Sequence, residues 1–235
     1  RGLGDVYKRQ LLEAADGTQR VLPYPDAELT RLDINEGSTV TLRDHRLTKA
    51  AHKVYFTRHG ETVWNVENKI CGMTDSPLTE KGRAQARELG EKLRASGLRI
   101  DEILYSPLSR AADTARAIAE ATGIPARCEP RLREQCFGRY EGTPRDGEEF
   151  RISKTHFADR YSGGESMMQL AQRIYNLLDE LRADTDKTYL LVAHNGIARV
   201  VQSYFYDMTN EEYAAAGIKN CLLYTSPSPR DTERS

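Results

Sequence analysis

Three short runs in this chain hold residues suited to one kind of chemistry. Arg58-His59-Gly60, Ser106-Pro107-Leu108-Ser109-Arg110 and His194-Asn195-Gly196 each follow an apolar stretch. Arginine offers planar, paired N–H donors that match phosphate oxygens and keeps its charge at any working pH. Arg58 and Arg110 are therefore candidates for holding a phosphate dianion. An imidazole with one unprotonated ring nitrogen can attack phosphorus if it is held in line. His59, between Arg58 and the permissive Gly60, is placed for that attack. His194 could donate to non-bridging oxygens and stabilise the charge in transfer. His45, His52 and His156 lack such a setting and read as ordinary surface residues.

The elements that must position these runs alternate between strands and helices from Lys53 onward. Val54-Tyr55-Phe56-Thr57 is a short apolar strand ending at Arg58. Leu78–Ser96 reads as a helix, with Thr79 as N-cap, Ala86, Leu89 and Leu93 at helical spacing, and Gly97 beyond its end. Ile100–Tyr105 is a second buried strand, and Ala111–Ala121 a helix that stops before Gly123-Ile124-Pro125. Ser166–Leu181 is a third helix, opened by Gly163-Gly164-Glu165. Tyr189–Ala193 is the most apolar strand, and Thr209 through Glu212 has capping-box spacing, which starts a further helix. Such alternation predicts an α/β fold, a three-layer α/β/α sandwich on a mostly parallel sheet. Ligands of such sheets bind beyond the carboxyl ends of strands. Arg58-His59, Ser106–Arg110 and His194 all sit there, so three segments are expected to converge on one crevice.

Residues 11–51 stand apart and carry no candidate chemistry. Leu29–Ile34 and Thr39–Leu42 alternate around Asn35-Glu36-Gly37 and predict a hairpin; the segment reads as the end of a preceding domain of the same kind, the tail of an unrelated partner domain, or upstream DNA translated in frame. The ends of the chain read differently again. Back-translated, Arg1–Gln10 gives DNA whose reverse complement, one base out of frame, encodes Cys221–Pro229 and the start of an Arg codon. Such complementarity points to sequencing adapter translated at both ends, residues 1–10 and 221–235, which sequence alone gives no reason to pack. The phosphate chemistry is then assigned to a domain over residues 52–220, cut at its C-terminal end.

The head holds three cations and one anion and the tail two of each, so the net charge of −1 becomes −3 for Leu11–Asn220. That balance excludes a general nucleic-acid binder, whose footprint is basic. No apolar run is long enough for a membrane span. Cys71, Cys128 and Cys136 lack CxxC or metal spacing and are expected to be small buried or half-buried side chains. A reducing, cytoplasmic setting fits them. The native N-terminus is read as missing, which leaves a signal peptide open.

The runs also resemble a known family. Arg58-His59-Gly60-Glu61-Thr62-Val63-Trp64-Asn65 is similar to the RHGETxWN signature of the histidine phosphatase, or phosphoglycerate-mutase-like, superfamily. The resemblance continues through Cys71-Gly72, Asp75–Thr79, Gly82, Ser106–Ala111, Thr114-Ala115, Leu132-Arg133-Glu134, Phe137-Gly138, Glu141-Gly142, Gly164-Glu165-Ser166 and Ala193–Gly196. It spans about Lys53 to Asn220, in the family's order. It implies His59 as nucleophile and Arg58, Arg110 and His194 as the phosphate pocket. It further implies Asn65 as another phosphate donor, Thr62 as a residue that reaches the substrate, and Glu134 as the proton donor. Glu141 and Glu165 match motif positions and read as structural. The implied reaction passes the phosphoryl group to His59 and then to water, with no metal and no cofactor.

Three functions fit this pattern. A phosphatase acting on small phosphorylated metabolites is favoured, because only 60 positions separate Glu134 from His194; mutases resembling this chain carry a longer insertion there. A cofactor-dependent phosphoglycerate mutase is the alternative. A non-catalytic phospholigand-binding module fits least, since His59 and Glu134 are both present. Sugar phosphates, phosphoglycerates, nucleotide monophosphates and ribazole phosphate remain open as substrates, as does the oligomeric state.

Overall fold

Alternation of side chains along two strands explains how the sheet is covered. In β4 (Val54–Arg58), Val54 and Phe56 belong to one apolar cluster and Tyr55 to another. In β7 (Tyr189–Ala193), Tyr189, Leu191 and Ala193 share the first cluster, while Leu190 and Val192 share the second. Successive strand residues point to opposite faces, so both faces of this sheet are buried. A near-continuous apolar run such as Tyr-Leu-Leu-Val-Ala is what a doubly covered strand needs.

A computed structural model of the chain describes residues 9–14, 19–23, 40–43, 54–184 and 186–226. It divides into two compact units, Arg1–Ala51 and His52–Ser235. In the first, β1 (Arg9–Ala14) pairs antiparallel with both β2 (Gln19–Pro23) and β3 (Val40–Arg43). The predicted strand Thr39–Leu42 thus appears as β3, paired with β1; the other half of the predicted hairpin, Leu29–Ile34, lies outside the described residues. Arg9 and Gln10 take part in the pairing of β1 with β2, so the head read as adapter contributes to β1.

The second unit contains a five-stranded sheet in the order β6-β5-β7-β4-β8. Its members besides β4 and β7 are β5 (Glu102–Tyr105), β6 (Ala126–Cys128) and β8 (Leu223–Ser226). All neighbours are parallel except β4 and β8. One face carries α2 (Glu80–Ser96) and α3 (Ser109–Thr122), and the other carries α5 (Met167–Ala183) and α6 (Asn195–Phe205). This is the expected three-layer α/β/α arrangement.

Hydroxyl caps explain the helix bounds: Thr79 and Thr209 as predicted, and Ser166 one residue before its helix rather than within it. The Thr79 hydroxyl accepts the Gly82 N–H at 3.0 Å, Ser166 that of Gln169 at 3.2 Å, and Thr209 that of Glu212 at 3.1 Å, opening α7 (Asn210–Ala215). Gly97 and Gly123 end α2 and α3 at φ 66° and 75°, a left-handed turn that favours glycine. Two short helices, α1 (Val63–Val66) and α4 (Glu148–Ser153), carry no periodic signal long enough to read.

One expectation is corrected. Residues from Cys221 onward, given no reason to pack, do pack over Cys221–Ser226. The Cys221 N–H donates to the Arg58 carbonyl at 2.9 Å, and β8 pairs with β4 over four residues. The physical reason is local: β4 has an open edge on that side, and Leu-Leu-Tyr-Thr-Ser is rich in residues that favour strands. Cys128 is also exposed, on the outermost strand β6, rather than buried or half-buried.

Candidate active site

Register puts the three chemical runs level with one another. Arg58 pairs with Ala193 across β4 and β7, and Tyr105 with Val192 across β5 and β7. His59, Ser106 and His194 are therefore the next residues of three neighbouring parallel strands. The His59 N–H donates to the Ala193 carbonyl at 3.0 Å, and the Ser106 N–H to that of Val192 at 3.1 Å, extending the ladder into the site.

The geometry of His59 decides its protonation. Its Nδ1 lies 2.7 Å from the Gly60 carbonyl, which can only accept, so Nδ1 carries the proton and Nε2 holds a lone pair. Burial, then the charges of Arg110 and Arg58, holds this imidazole well below the usual histidine range. The loop is fixed by close backbone approach. A Cβ on Gly60 would meet the Gly82 carbonyl oxygen at 2.3 Å, and one on Gly82 the Glu61 carbonyl at 2.1 Å. The Gly60 N–H donates to the Thr114 hydroxyl at 3.1 Å.

His194, the N-cap of α6, lies with its ring centroid 5.1 Å from that of His59. Its Nε2 is 2.7 Å from the Ser106 hydroxyl, which also accepts a 3.4 Å bond from the Leu108 N–H. Among the described residues the Ser106 proton has no other acceptor, so Ser106 donates to Nε2 and the ring proton sits on Nδ1. Burial, followed by Arg110, holds His194 neutral as well, well below the usual range.

The arginines are anchored by their outer nitrogens. Arg110, 1% exposed, donates to the carbonyls of Gly72 at 2.7 Å and Thr74 at 3.1 Å and meets Asp75 at 3.3 Å. Arg58 donates to the Ile218 carbonyl at 3.1 Å, and burial together with Arg145 pulls it down to about 10, still charged at neutral pH. Arg58 Nε, Arg110 Nε and His194 Nδ1 are buried and have no partner among the described residues; Arg133 Nε is a fourth such atom. A buried donor left unpaired costs about 1–3 kcal/mol. An acceptor-rich anion such as phosphate would relieve three of them at once.

Glu134, 5% exposed, accepts from the Gln135 N–H at 2.9 Å and from the Gly196 N–H, at the start of α6, at 3.0 Å. A Cβ at 196 would lie 2.4 Å from the Glu134 Oε1, so glycine there lets the carboxylate sit against the start of α6. Beside His59 opens a cavity of about 180 Å³, lined among others by Arg58, Asn65, Glu134, Arg145, Lys154 and Arg199. Asn65 accepts the Thr62 N–H with Oδ1 at 3.2 Å, leaving its amide NH₂ as a donor. Arg110 and His194 are not among the residues that line this cavity, although the His194 ring lies 5.1 Å from that of His59.

Thr62 is not brought to the cavity. It is fully buried, and its hydroxyl caps α1 by accepting the Asn65 N–H at 3.2 Å. Glu141 accepts the Met73 N–H at 2.9 Å and those of Thr74 and Phe137, bracing the loop that holds Arg110. Glu165 makes a two-point pair with Arg173 at 2.8 and 2.9 Å. Among the described residues no cluster of three or more His, Cys, Asp or Glu could hold a metal ion, and no helix is long and apolar enough to cross a membrane.

Residues 54–229 match the model of the histidine phosphatase superfamily (branch 1). The chain belongs to this family. It is 35% identical over 179 residues to a probable phosphoglycerate mutase GpmB of Yersinia pestis, covering 73% of this chain and 82% of that protein. A mycobacterial glucosyl-3-phosphoglycerate phosphatase is 29% identical with a TM-score of 0.64, over 74% of this chain and 89% of that one. A putative alpha-ribazole-5'-P phosphatase of Escherichia coli shares the fold, with a TM-score of 0.65 at 24% identity, over 74% of this chain and 89% of that one. A phosphatase and a probable mutase thus stand side by side among the proteins this chain resembles.

Arg145, Lys154, Arg199 and the tautomer-setting role of Ser106 escape a strand-end reading. Arg145 and Lys154 lie in a charged, aperiodic stretch. Arg199 lies in α6, which the sequence marks with no cap besides His194.

Proposed function

We propose that this chain is a phosphatase that hydrolyses small phosphate monoesters through a phosphohistidine on His59. The observation that carries the reading is the buried, neutral His59, whose Nδ1–H donates to the Gly60 carbonyl, beside three buried donors without an acceptor. In the first step the His59 Nε2 lone pair forms a bond to phosphorus as the bond to the substrate oxygen breaks. Arg58, Arg110 and His194 Nδ1–H take the charge on the non-bridging oxygens, and Asn65 adds a donor. Glu134 gives its proton to the departing alkoxide. In the second step Glu134, now a carboxylate, takes a proton from the water that attacks phosphorus, and His59 is released with inorganic phosphate.

The mutase reading draws on the GpmB relative. It needs the phosphoryl group to return to a substrate hydroxyl before water arrives. The short Glu134–His194 spacing favours water.

The test is a quench during turnover. The protein should carry an acid-labile, base-stable phosphoryl group and release phosphate in step with substrate loss, while His59→Ala does neither. Phosphoglycerate isomerised without phosphate release would make the chain a mutase, and unchanged labelling in His59→Ala would remove His59 as nucleophile.

A further inference from the structure

We infer that the substrate carries a second anionic group, a carboxylate or another phosphate, seated on Arg145, Lys154 and Arg199 in the cavity beside His59. The inference rests on the phosphatase reading and names its substrate class: a small phosphate monoester of an acid or of a second phosphate.

The three cations come from separate segments. Arg145 lies in the loop before α4, Lys154 caps the C-terminal end of α4, and Arg199 is on α6. All three are half-buried and line the same cavity. Each is held in place. Arg145 Nε donates to the Lys69 carbonyl at 2.8 Å, Arg199 Nε donates to that of Ala216 at 2.6 Å, and Lys154 Nζ lies 5.0 Å from the centre of the Phe150 ring. In both arginines the anchored nitrogen is Nε, which leaves the outer N–H pairs for a ligand.

None of the three has a carboxylate partner among the described residues, although surface cations elsewhere do: Lys81 pairs with Glu61, Lys92 with Glu88 and Arg116 with Asp113. The one acid lining the cavity, Glu134, already accepts two backbone N–H bonds. Arg199 and Arg145, after burial, make it harder for Lys154 to hold its proton, so the charges act on one another. Like charges gathered away from bulk water cost stability, and clefts lined by one sign concentrate the opposite ion. The transferred phosphate does not explain them, because Arg58, Arg110 and His194 already supply its donors. A second anion does.

Phosphate release measured on matched pairs tests this: glycerol 3-phosphate against 3-phosphoglycerate, and fructose 6-phosphate against fructose 1,6-bisphosphate. The protein should prefer the two-anion member of at least one pair by about tenfold or more in kcat/KM, the size of one charge-assisted contact. The first pair reports a carboxylate and the second a phosphate. Lys154→Gln and Arg145→Gln should each shrink that preference about tenfold, mainly through KM, and Lys154→Arg should restore it. No preference in either pair, or variants that slow both members equally, would overturn the subsite. Failure to release phosphate from any of the four would instead overturn the phosphatase reading. The subsite would then be judged by calorimetric titration of His59→Ala. Tenfold tighter binding of 3-phosphoglycerate than of glycerol 3-phosphate would uphold it, and equal binding would end it.

Discussion

Ser106→Ala isolates the argument about the His194 tautomer. Ser106 is fully buried, and its hydroxyl donates to His194 Nε2 at 2.7 Å. With that donor gone, nothing fixes the ring proton on Nδ1, and the Nε2–H form presents a lone pair to phosphate oxygens. The site then loses a hydrogen bond to a charged group, about 1.5–3 kcal/mol. At about 1.4 kcal/mol per decade, kcat/KM for phosphate release should fall by roughly ten- to a hundred-and-fifty-fold. Stability should suffer much less: one neutral hydrogen bond is about 1 kcal/mol, or some 2–4 °C in Tm for a domain of this size. Because Ser106 is argued to act through His194, its removal in a His194→Ala background should cost little further activity. Imidazole nitrogen shifts in labelled protein would report the tautomer directly. Wild-type kcat/KM within about twofold, or a full additional loss in the His194→Ala background, would refute the reasoning.

Glu134→Gln keeps the shape but cannot cycle a proton. Single-turnover phosphorylation of His59 by an alkyl phosphate should slow by about a hundred- to ten-thousand-fold, and by nitrophenyl phosphate far less; equal slowing would make Glu134 a positioning residue. Because burial and Arg110 hold His59 and His194 well below the usual range, their folded forms bind fewer protons than the unfolded chain as pH falls below about 6.5. Stability should therefore be level above that pH and decline below it, which scans of Tm against pH would follow. His59 phosphorylation, corrected for the substrate phosphate's own ionisation near pH 6, should persist below pH 6.5; an acid limb centred at or above 6.5 would contradict a neutral His59. Deleting residues 221–235 should lower Tm by about 4 °C or more, from the loss of roughly 2 kcal/mol of β4 edge pairing; an unchanged Tm would mean that β8 contributes nothing.

The parts of the fold that can be read from the chain are those where local and tertiary demands agree. Tyr189–Ala193 is apolar throughout because both its faces are covered, and it ends at a histidine because parallel strands deliver their carboxyl ends to one crevice. Thr79, Ser166 and Thr209 mark helix starts because their hydroxyls bond backbone N–H groups three residues on, a purely local event. Where partners are distant the signal fades. Alternation marks Thr39–Leu42 as a strand, but the pairing of β3 with β1 across about thirty residues is a choice alternation cannot encode. Thr62 sits within a catalytic-looking motif, but it is fully buried, accepts the Asn65 N–H at the start of α1 and does not line the cavity. Arg145, Lys154 and Arg199 look like surface charge in one dimension; only the path of the loop before α4 and the packing of α6 bring them to His59.

The edge strand bears on chemistry as well as stability. His59 is held from both sides of β4: its N–H by the Ala193 carbonyl of β7 at 3.0 Å, and its carbonyl by the Asn220 amide at 2.6 Å, just before β8. Cys221 holds the Arg58 carbonyl in the same way, so the peptide on each side of His59 is pinned. An in-line attack tolerates little error in the position of Nε2, and a misplacement of about 1 Å can cost a hundredfold in rate. The Gly60 carbonyl that fixes the His59 tautomer belongs to the same pinned stretch, so position and protonation depend on one piece of backbone. Asn220 can thus govern the proposed nucleophile by holding the peptide that carries it.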